Sequence, residues 1–269
     1  MKRYFENKTI WITGASSGVG EGFVNHLSQI NCRLIISSRR VDELERVKKQ
    51  NESHPSEIDC WPLDLADQES INKTANDVLT EHGSVDLLIH CGGMSQRSMA
   101  ADTDMSVIRN LMEVNFLGTA ELSNAVMPRM VEKKSGHQVV VSSVIGKIGI
   151  PSRTGYAASK HALHGYFDAL RAEHFEDNID ITIICPGYIR TNLSKNALLG
   201  DGTKNEVTDD NIAGGMSVDE FVTKALKKIA SRKKEVYIGG FREILGIYVM
   251  RFFPNLFFKI ARGLKEGVK

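Results

Sequence analysis

The chain has 269 residues, of which 42% are hydrophobic and 25% are charged, and its net charge is +1. These values are typical of one globular α/β domain with a sizeable core. The balanced charge gives no electrostatic reason to expect binding to nucleic acid. Residues 1–11 contain no apolar segment of the secretory kind, and no run reaches the roughly 18 uncharged apolar residues of a membrane span. We therefore expect a cytoplasmic protein.

Strand-like apolar runs alternate with helical periodicity along the chain, which indicates βαβ units and a parallel sheet. Strands are predicted at residues 9–13, 33–37, 57–62, 85–91, 138–142, 180–185 and 235–238. Between them apolar residues recur at helical spacing, and Ser217 and Glu220 form a capping box at the start of one helix. The pattern predicts a Rossmann-type, doubly wound α/β fold in a single domain. Its parallel seven-stranded sheet carries helices on both faces.

The four cysteines have no spacing typical of a metal site, and they are Cys32, Cys60, Cys91 and Cys185. Each falls inside or beside a predicted strand. Buried free thiols in a reducing compartment are therefore favoured over a metal centre, and we predict no bound metal.

The turn after the first predicted strand is rich in glycine, since residues 13–20 read TGASSGVG. Gly14 allows a tight turn, Gly18 lets the backbone approach a pyrophosphate, and Gly20 lets helix and strand pack closely. Amides at the start of the next helix then face the phosphates of a dinucleotide. A purely structural turn is the alternative, which the strand before it and the helix after it make less favoured. We assign the turn to cofactor binding through Gly14, Ser16, Ser17, Gly18, Val19 and Gly20.

The end of the second strand carries arginines where an NAD-binding site carries an acid. Residues 36–40 read ISSRR. A carboxylate here would bind the ribose 2′-hydroxyl of NAD, whereas arginine accommodates the 2′-phosphate of NADP. With serine at both positions 37 and 38, Arg39 and Arg40 favour NADP(H) over NADH. A solvated helix start is the alternative explanation of the two arginines.

Residues 142–160, SSVIGKIGIPSRTGYAASK, combine groups suited to proton transfer. Tyr156 and Lys160 lie one helical turn apart on the same face, unless they merely form a solvated helix surface. We expect the ammonium group to lower the pKa of the phenol from about 10, so that Tyr156 can act as a general acid or base. Ser143 ends an apolar run and is expected at the carboxyl end of a strand, where open α/β sheets bind ligands.

Together, TGASSGVG and YAASK resemble the motifs of the short-chain dehydrogenase/reductase family, and the resemblance extends over residues 8–239. It implies an oxidoreductase that interconverts a ketone or aldehyde and an alcohol by hydride transfer with NADP(H). Tyr156 would act as the acid or base, and Ser143 would bind the carbonyl oxygen. Lys160 would bind the nicotinamide ribose, and Asn115 would hold a water molecule in a proton relay.

Further matches to the family imply other cofactor contacts. Asp64 and Leu65 match an adenine-contacting pair, although a helix N-cap explains Asp64 equally well. Residues 90–93 read HCGG where the family usually has Asn-Asn-Ala-Gly, and we expect His90 and Cys91 to replace part of the lost bracing rather than to bind metal. The resemblance adds Cys91, Gly92, Pro186, Gly187, Ile189 and Thr191 to the cofactor site.

Two segments fall outside these motifs. The substrate loop, residues 188–217, is rich in Gly, Asn and Asp; it is predicted to be a lid or disordered, and to cover the substrate. The tail, from residue 241 onward, interleaves apolar and basic residues, and Pro254 divides it into two short helices. Such a tail can lie on a membrane surface, but we favour one that caps the substrate pocket or a partner subunit. It resembles the dehydrogenase/reductase member 7-like subgroup, whose animal members are membrane-associated.

These observations divide the chain into an NADP-binding catalytic domain, residues 1–239, and a helical extension of the same domain, residues 240–269. The resemblance implies a homodimer or homotetramer that packs through the Asn115 helix and the Tyr156 helix. Small residues line the second of these helices at Ala158, Ala162, Gly165, Ala169 and Ala172. Two alternatives stay open: an NADP(H)-binding sensor or scaffold, and a 3-oxoacyl carrier-protein reductase.

Overall fold

Parallel strands form the centre of the protein in a computed structural model that describes residues 1–207 and 209–264. The strands are β1 (Thr9–Thr13), β2 (Arg33–Ser38), β3 (Glu57–Pro62), β4 (Leu87–His90), β5 (Gly136–Val141), β6 (Ile179–Pro186) and β7 (Glu235–Ile238). Within the described residues these seven strands form one parallel sheet in the order β3-β2-β1-β4-β5-β6-β7. The predicted fold class is confirmed.

Helices precede the first strand, connect the strands and follow the last of them. They are α1 (Lys2–Phe5), α2 (Gly18–Leu27), α3 (Val41–Gln50), α4 (Gln68–His82), α5 (Met105–Met112), α6 (Gly118–Lys133), α7 (Thr154–Glu173), α8 (Asp210–Ala213), α9 (Val218–Ala230), α10 (Phe241–Phe252) and α11 (Pro254–Ala261). A π-helical turn, Glu113–Leu117, joins α5 to α6, and a short 3-10 turn, Val144–Gly146, follows β5.

Alternation along the strands explains why helices cover both faces of the sheet. In β1, Ile10 and Ile12 pack into one core layer with residues of α2, α3 and α9. Trp11 points to the opposite face and packs with residues of α4, α6 and α7. All three side chains are fully buried. A strand that is buried on both faces reads as a continuous apolar run, as parallel sheets require.

The strand order reverses between β1 and β4, and this reversal sets the place of the site. The chain builds β1, β2 and β3 toward one edge of the sheet and then returns, so that β4 pairs with the other side of β1. Connections leave the carboxyl ends of β1 and β4 in opposite directions and open a crevice there. Open α/β sheets bind their ligands in this crevice.

The tail forms two helices that fold back over the carboxyl end of β5. Pro254 begins α11, which confirms the predicted break. Ile247 of α10 and Phe257 of α11 are buried in a small cluster with Val144 and Ile148. Among the described residues, no helix has both the length and the apolar character that crossing a membrane requires. The predicted boundary at residue 239 falls just before α10. The division into a catalytic domain and a helical extension stays a prediction.

Several sequence-based expectations differ from the structure in detail. Strand β2 continues to Ser38, and β5 covers Gly136–Val141 instead of residues 138–142. Strand β4 is shorter than predicted, since residues 85, 86 and 91 lie outside it. Strand β6 is one residue longer at each end than predicted, since it covers Ile179–Pro186. Pro186 can end the strand although it has no N–H group to donate. The substrate loop has defined structure across its described part. Ile189 pairs with Met216, and Leu198 pairs with Gln96, so these ladder contacts fix its course.

Candidate active site

One cavity of about 1090 Å³ opens at the carboxyl ends of the central strands. It brings together residues that lie far apart in the sequence. The predicted site residues that line it are Gly14, Ser16, Ser17, Val19, Gly20, Arg39, Arg40, Asp64, Leu65, Cys91, Gly92, Ser143, Tyr156, Lys160, Pro186, Gly187, Ile189 and Thr191. The lining, taken over the described residues, leaves out Gly18 and Asn115.

The glycine-rich turn has the backbone that its sequence predicts. Gly14 has φ +66° and Gly18 has φ +58°, a region that side chains disfavour. A Cβ atom on Gly20 would collide with the carbonyl oxygen of Gly14, so this glycine allows α2 to start directly against β1. The side chain of Thr191 lies beside Gly18 and closes the turn from the other side of the cavity. The first amides of α2 therefore face an open space suited to a pyrophosphate.

The two arginines after β2 take different positions. Arg40 donates from Nη2 to Ser16 Oγ at 2.9 Å and to Ser17 Oγ at 3.0 Å. Arg39 is exposed and lines the same cavity. A third arginine, Arg46 on α3, donates to the carbonyl oxygen of Ser16 at 3.4 Å. Arg46 also pairs with Glu21 and Glu43, so it joins α3 to the start of α2.

The HCGG segment braces the sheet through its backbone more than through its side chains. The amides of Cys91 and Gly92 donate to Thr13 Oγ1 at 3.2 and 3.3 Å, which ties β4 to β1. His90 is buried, with Nε2 at 3.4 Å from Gln138 Oε1. Burial lowers the pKa of His90 to about 4, so the ring is neutral at physiological pH. His90 thus supplies one side-chain contact between neighbouring strands.

Asn115 occupies the π-helical turn rather than a regular helix. Its side chain accepts from the Met94 amide at 2.8 Å and donates to the Met94 carbonyl oxygen at 3.0 Å. It also donates to Ser159 Oγ at 2.9 Å. The amide group therefore fixes the chain after β4 against α7. Its role in a proton relay stays a prediction.

Ser143, Tyr156 and Lys160, the residues predicted to be catalytic, line the cavity together. Ser143 lies close enough to the Tyr156 phenol to lower its pKa, and Ser143 Oγ accepts from the Ile145 amide at 3.1 Å. Lys160 donates from Nζ to the Val141 carbonyl oxygen at 3.0 Å. Its Nζ lies 5.9 Å from the centre of the Tyr156 ring. The helical spacing thus places the phenol and the ammonium side by side, as predicted.

The electrostatics of this pair differ from the prediction. Burial raises the pKa of Tyr156 above its ordinary value, and the Ser143 hydrogen bond together with the charges of Arg97 and Arg153 partly opposes that rise. Burial also lowers the pKa of Lys160 to about 8. The predicted net lowering of the Tyr156 pKa by Lys160 is therefore wrong for this structure, because desolvation outweighs the neighbouring charges.

Two further groups of residues complete the cavity. Sequence reasoning missed the first group, whereas the second includes residues of the tail, which was expected to cap the substrate pocket or a partner subunit. Arg97 and Arg153 are almost fully buried, and both line the cavity beside Tyr156. No familiar motif surrounds them, so only the fold could reveal their position. The apolar wall at the far end of the cavity is shared between the chain after β5 and the two tail helices. It is formed by Ile148, Ile150, Leu245, Val249, Phe257, Ile260 and Leu264.

A model of the family described as short chain dehydrogenase matches residues 8–201. The chain belongs to the short-chain dehydrogenase/reductase family. It is thus an oxidoreductase of the class that acts on CH–OH groups. It is 38% identical over 273 residues to Dehydrogenase/reductase SDR family member 7B of Mus musculus, covering 98% of this chain and 84% of the relative. It is 40% identical over 251 residues to Dehydrogenase/reductase SDR family member 7 of Homo sapiens, covering 91% and 74%.

Solved structures of this family share the fold. A short-chain dehydrogenase/reductase from Burkholderia phymatum in complex with NAD has a TM-score of 0.82 at 19% identity, covering 94% of this chain and 96% of that one. A short-chain dehydrogenase from Sphingobium yanoikuyae in complex with NADPH has a TM-score of 0.75 at 23% identity, covering 86% and 87%. One of these neighbours holds NAD and the other holds NADPH.

Proposed function

We propose that this protein is an NADP(H)-dependent oxidoreductase that interconverts a ketone or aldehyde and an alcohol, with Tyr156 as the general acid or base. One observation carries the proposal. Ser143, Tyr156 and Lys160 line the same cavity as the glycine-rich turn. A carbonyl group held between Ser143 and Tyr156 would therefore lie in one continuous space with a dinucleotide bound at α2.

The side chains have distinct parts in this reaction. When bound, the nicotinamide supplies or accepts the hydride. Tyr156 gives its proton to the carbonyl oxygen during reduction, and the Ser143 hydroxyl donates a hydrogen bond to the same oxygen as charge develops on it. The ammonium of Lys160, fixed by the Val141 carbonyl oxygen, would bind the nicotinamide ribose, while Arg97 and Arg153 favour the phenolate form of Tyr156.

The preference for NADP(H) is supported by the arginines at the carboxyl end of β2. Arg39 and Arg40 both line the cavity, and Ser37 and Ser38 stand where a carboxylate would bind the 2′-hydroxyl of NAD. Arg39 is exposed and is free to swing toward a 2′-phosphate, whereas Arg40 already bonds to Ser16 and Ser17. We assign the larger share of the preference to Arg39.

The substrate class follows from the far wall of the cavity. Leu245, Val249 and Phe257 of the tail line it together with Ile148 and Ile150, and Val249 and Phe257 pack in one cluster with these two isoleucines. An apolar wall of this kind gains free energy from burying hydrocarbon, at about 25 cal/mol for each Å² removed from water. We therefore propose a carbonyl compound or alcohol that carries a bulky apolar group.

Two associations belong to the same proposal. Family members are typically oligomeric, and the small residues of α7 leave an exposed strip for a second copy, in a homodimer or homotetramer.

The outer side of the tail exposes Phe241, Phe252 and Phe253 by 79%, 66% and 64%. Together with neighbouring arginines and lysines, these rings suit peripheral contact with a membrane. The cytoplasmic location stays a prediction.

The test is turnover of a carbonyl panel by wild type and by Tyr156→Phe, with NADPH binding followed by fluorescence. We expect Tyr156→Phe to abolish turnover while NADPH still binds. Tyr166→Phe is the matched control, because Tyr166 lies on the same helix, outside the cavity, and bonds to Asn124. Turnover retained by Tyr156→Phe would contradict the assignment. Wild-type binding of NADPH without turnover of any carbonyl, acyl-carrier substrates included, would favour the sensor alternative.

A further inference from the structure

A cluster of buried charges lies beside the candidate active site. Asp209 of the substrate loop accepts from Arg97 Nε at 2.8 Å and pairs with Arg97 Nη2 at 2.5 Å. The same Oδ2 atom accepts from Arg153 Nη2 at 3.1 Å. The three residues are 9%, 4% and 3% exposed respectively. Burying a charged side chain is unfavourable unless it is paired with an opposite charge. These ion pairs therefore stabilise the arrangement of the three buried side chains.

The segment that carries Arg97 is also joined to the substrate loop through the backbone. The Arg97 amide donates to the Leu198 carbonyl oxygen at 2.8 Å, and the Leu198 amide donates to the Ser95 carbonyl oxygen at 2.8 Å. These two bonds form a short ladder between residues 95–97 and the loop. Backbone pairing and the Asp209 ion pairs thus hold the loop at two separate points.

The other side of this segment supports the helix that carries Tyr156. Gln96, which is fully buried, accepts from the Gly155 amide at 2.8 Å and from the Tyr156 amide at 3.4 Å. The first amides of a helix have no partner within the helix. Arg153, at the N-cap of α7, cannot supply one, because a guanidinium group has no acceptor. Gln96 therefore caps α7 from a distant part of the chain.

We propose that Gln96 and Arg97 are positioning residues that couple the closed substrate loop to Tyr156, an inference that rests on the proposed role of Tyr156. Asp209 holds Arg97, Gln96 is the residue directly before Arg97, and Gln96 holds the amide of Tyr156. Arg153 completes this hydrogen-bond network, because it donates to Asp209 and also to the Gln96 carbonyl oxygen at 3.1 Å. Loop closure and the placement of the phenol are then parts of one arrangement.

The same arrangement brings positive charge toward Tyr156. The charged groups around the phenol among the described residues are Arg97, Arg153 and Lys160, with Asp209 beyond the two arginines. Both arginines oppose the rise in the Tyr156 pKa that burial causes. Loss of Arg97 should therefore disfavour the phenolate as well as loosen the start of α7.

The first test is a double variant, Arg97→Met with Asp209→Asn, which removes one positive and one negative charge together. A methionine fills most of the arginine volume, and an asparagine can still accept from Arg153. We expect kcat/KM for the carbonyl substrate to fall at least tenfold, mainly through kcat, while NADPH affinity changes less than twofold. The matched control, Lys73→Met with Asp77→Asn, removes an exposed ion pair on α4 and should change neither value.

A second variant covers the case in which the double variant does not fold. Gln96→Met keeps the ion pairs and removes the acceptor for the α7 amides. We expect kcat to fall at least fivefold with KM and NADPH affinity near wild type, and Gln96→Glu, which keeps that acceptor, to recover part of the loss. Wild-type kcat in a folded Gln96→Met protein would overturn the proposal.

Hydrogen exchange separates this inference from the proposed function, because it needs no turnover. We expect the amides of Gly155 and Tyr156 to exchange at least tenfold faster in Gln96→Met, and faster also when Arg97 and Asp209 are replaced. The Lys73 and Asp77 control should leave them unchanged. If Gln96→Met leaves these amides as protected as in wild type, the bridge does not exist. If the amides exchange faster but every variant turns over substrate as fast as wild type does, Gln96 and Arg97 do not position Tyr156.

Discussion

The Nζ atom of Lys160 lies 5.9 Å from the centre of the Tyr156 ring. The two groups share one desolvated site, and burial disfavours the charged form of each. It raises the pKa of the phenol and lowers the pKa of the ammonium to about 8. At neutral pH this burial lowers the stability of the fold through Lys160, which stays charged, whereas the uncharged phenol of Tyr156 adds no such penalty there.

We expect Lys160→Met to stabilise the protein at neutral pH. The pKa of Lys160 falls from 10.5 to about 8 on folding. Between these values the unfolded chain binds more protons, so the lysine's penalty is largest below pH 8 and fades toward pH 10.5. The variant should gain about 1–2 kcal/mol at pH 7, less than the full shift implies because the Val141 carbonyl oxygen loses its partner.

Urea unfolding at pH 7 and pH 10 measures this gain. The advantage of Lys160→Met should shrink at the higher pH. A variant that is less stable than wild type at pH 7 would show that the ammonium gains more from its contacts than it loses through burial. Lys73→Met serves as the control, because Lys73 is exposed on α4.

Arg39→Ala should reduce the preference for NADPH. Loss of a guanidinium that binds the 2′-phosphate should weaken NADPH binding by about tenfold, or 1.4 kcal/mol, and leave NADH binding unchanged. Fluorescence titration with both cofactors measures the two affinities. Arg33→Ala is the control, because Arg33 is an exposed arginine of β2 that pairs with Glu57. Equal binding of NADH and NADPH by wild type would show that Arg39 and Arg40 do not select NADPH.

Gly165→Trp should break the association of subunits through α7. Gly165 is exposed, and a Cβ atom there would meet nothing within 4 Å of the same chain. A tryptophan is thus harmless to the fold but would block a close approach by a second copy. We expect a smaller oligomer by sedimentation, and an unchanged oligomer would place the interface elsewhere. Gly165→Ala is the control and should stabilise the helix by about 0.5–1 kcal/mol.

Replacing Phe252 and Phe253 with serine should weaken binding to vesicles that contain anionic lipid. Both rings are exposed at the junction of the tail helices, close to Arg251. Co-sedimentation with vesicles measures the bound fraction, which we expect to fall at least fivefold. Phe175→Ser is the matched control, because Phe175 is 71% exposed and follows α7, outside the tail. If the wild-type protein does not sediment with vesicles, the tail does not bind membranes, and its exposed rings would instead contact a protein partner or a second copy.

The parts of the site that were predictable depend on local spacing. The turn at Gly14 follows from a strand, a glycine and a helix in direct succession, and the Tyr156–Lys160 pair follows from the helical repeat. The Tyr156 pKa was mispredicted because its shift depends on how completely the surrounding chain excludes water. Sequence spacing gives the neighbours of a group on its own helix, but not its burial.

The sequence by itself determined the strands, their alternation with helices, the glycine-rich turn and the placement of Tyr156 beside Lys160, because each depends on residues within about one element of one another. Only the tertiary structure decided what closes the site. Gln96, Arg97 and Asp209 meet through contacts that span 112 residues of sequence, and the tail helices form one wall of the cavity from the far end of the chain. Such contacts follow from the order of strands in the sheet and from packing over it, which no local pattern encodes.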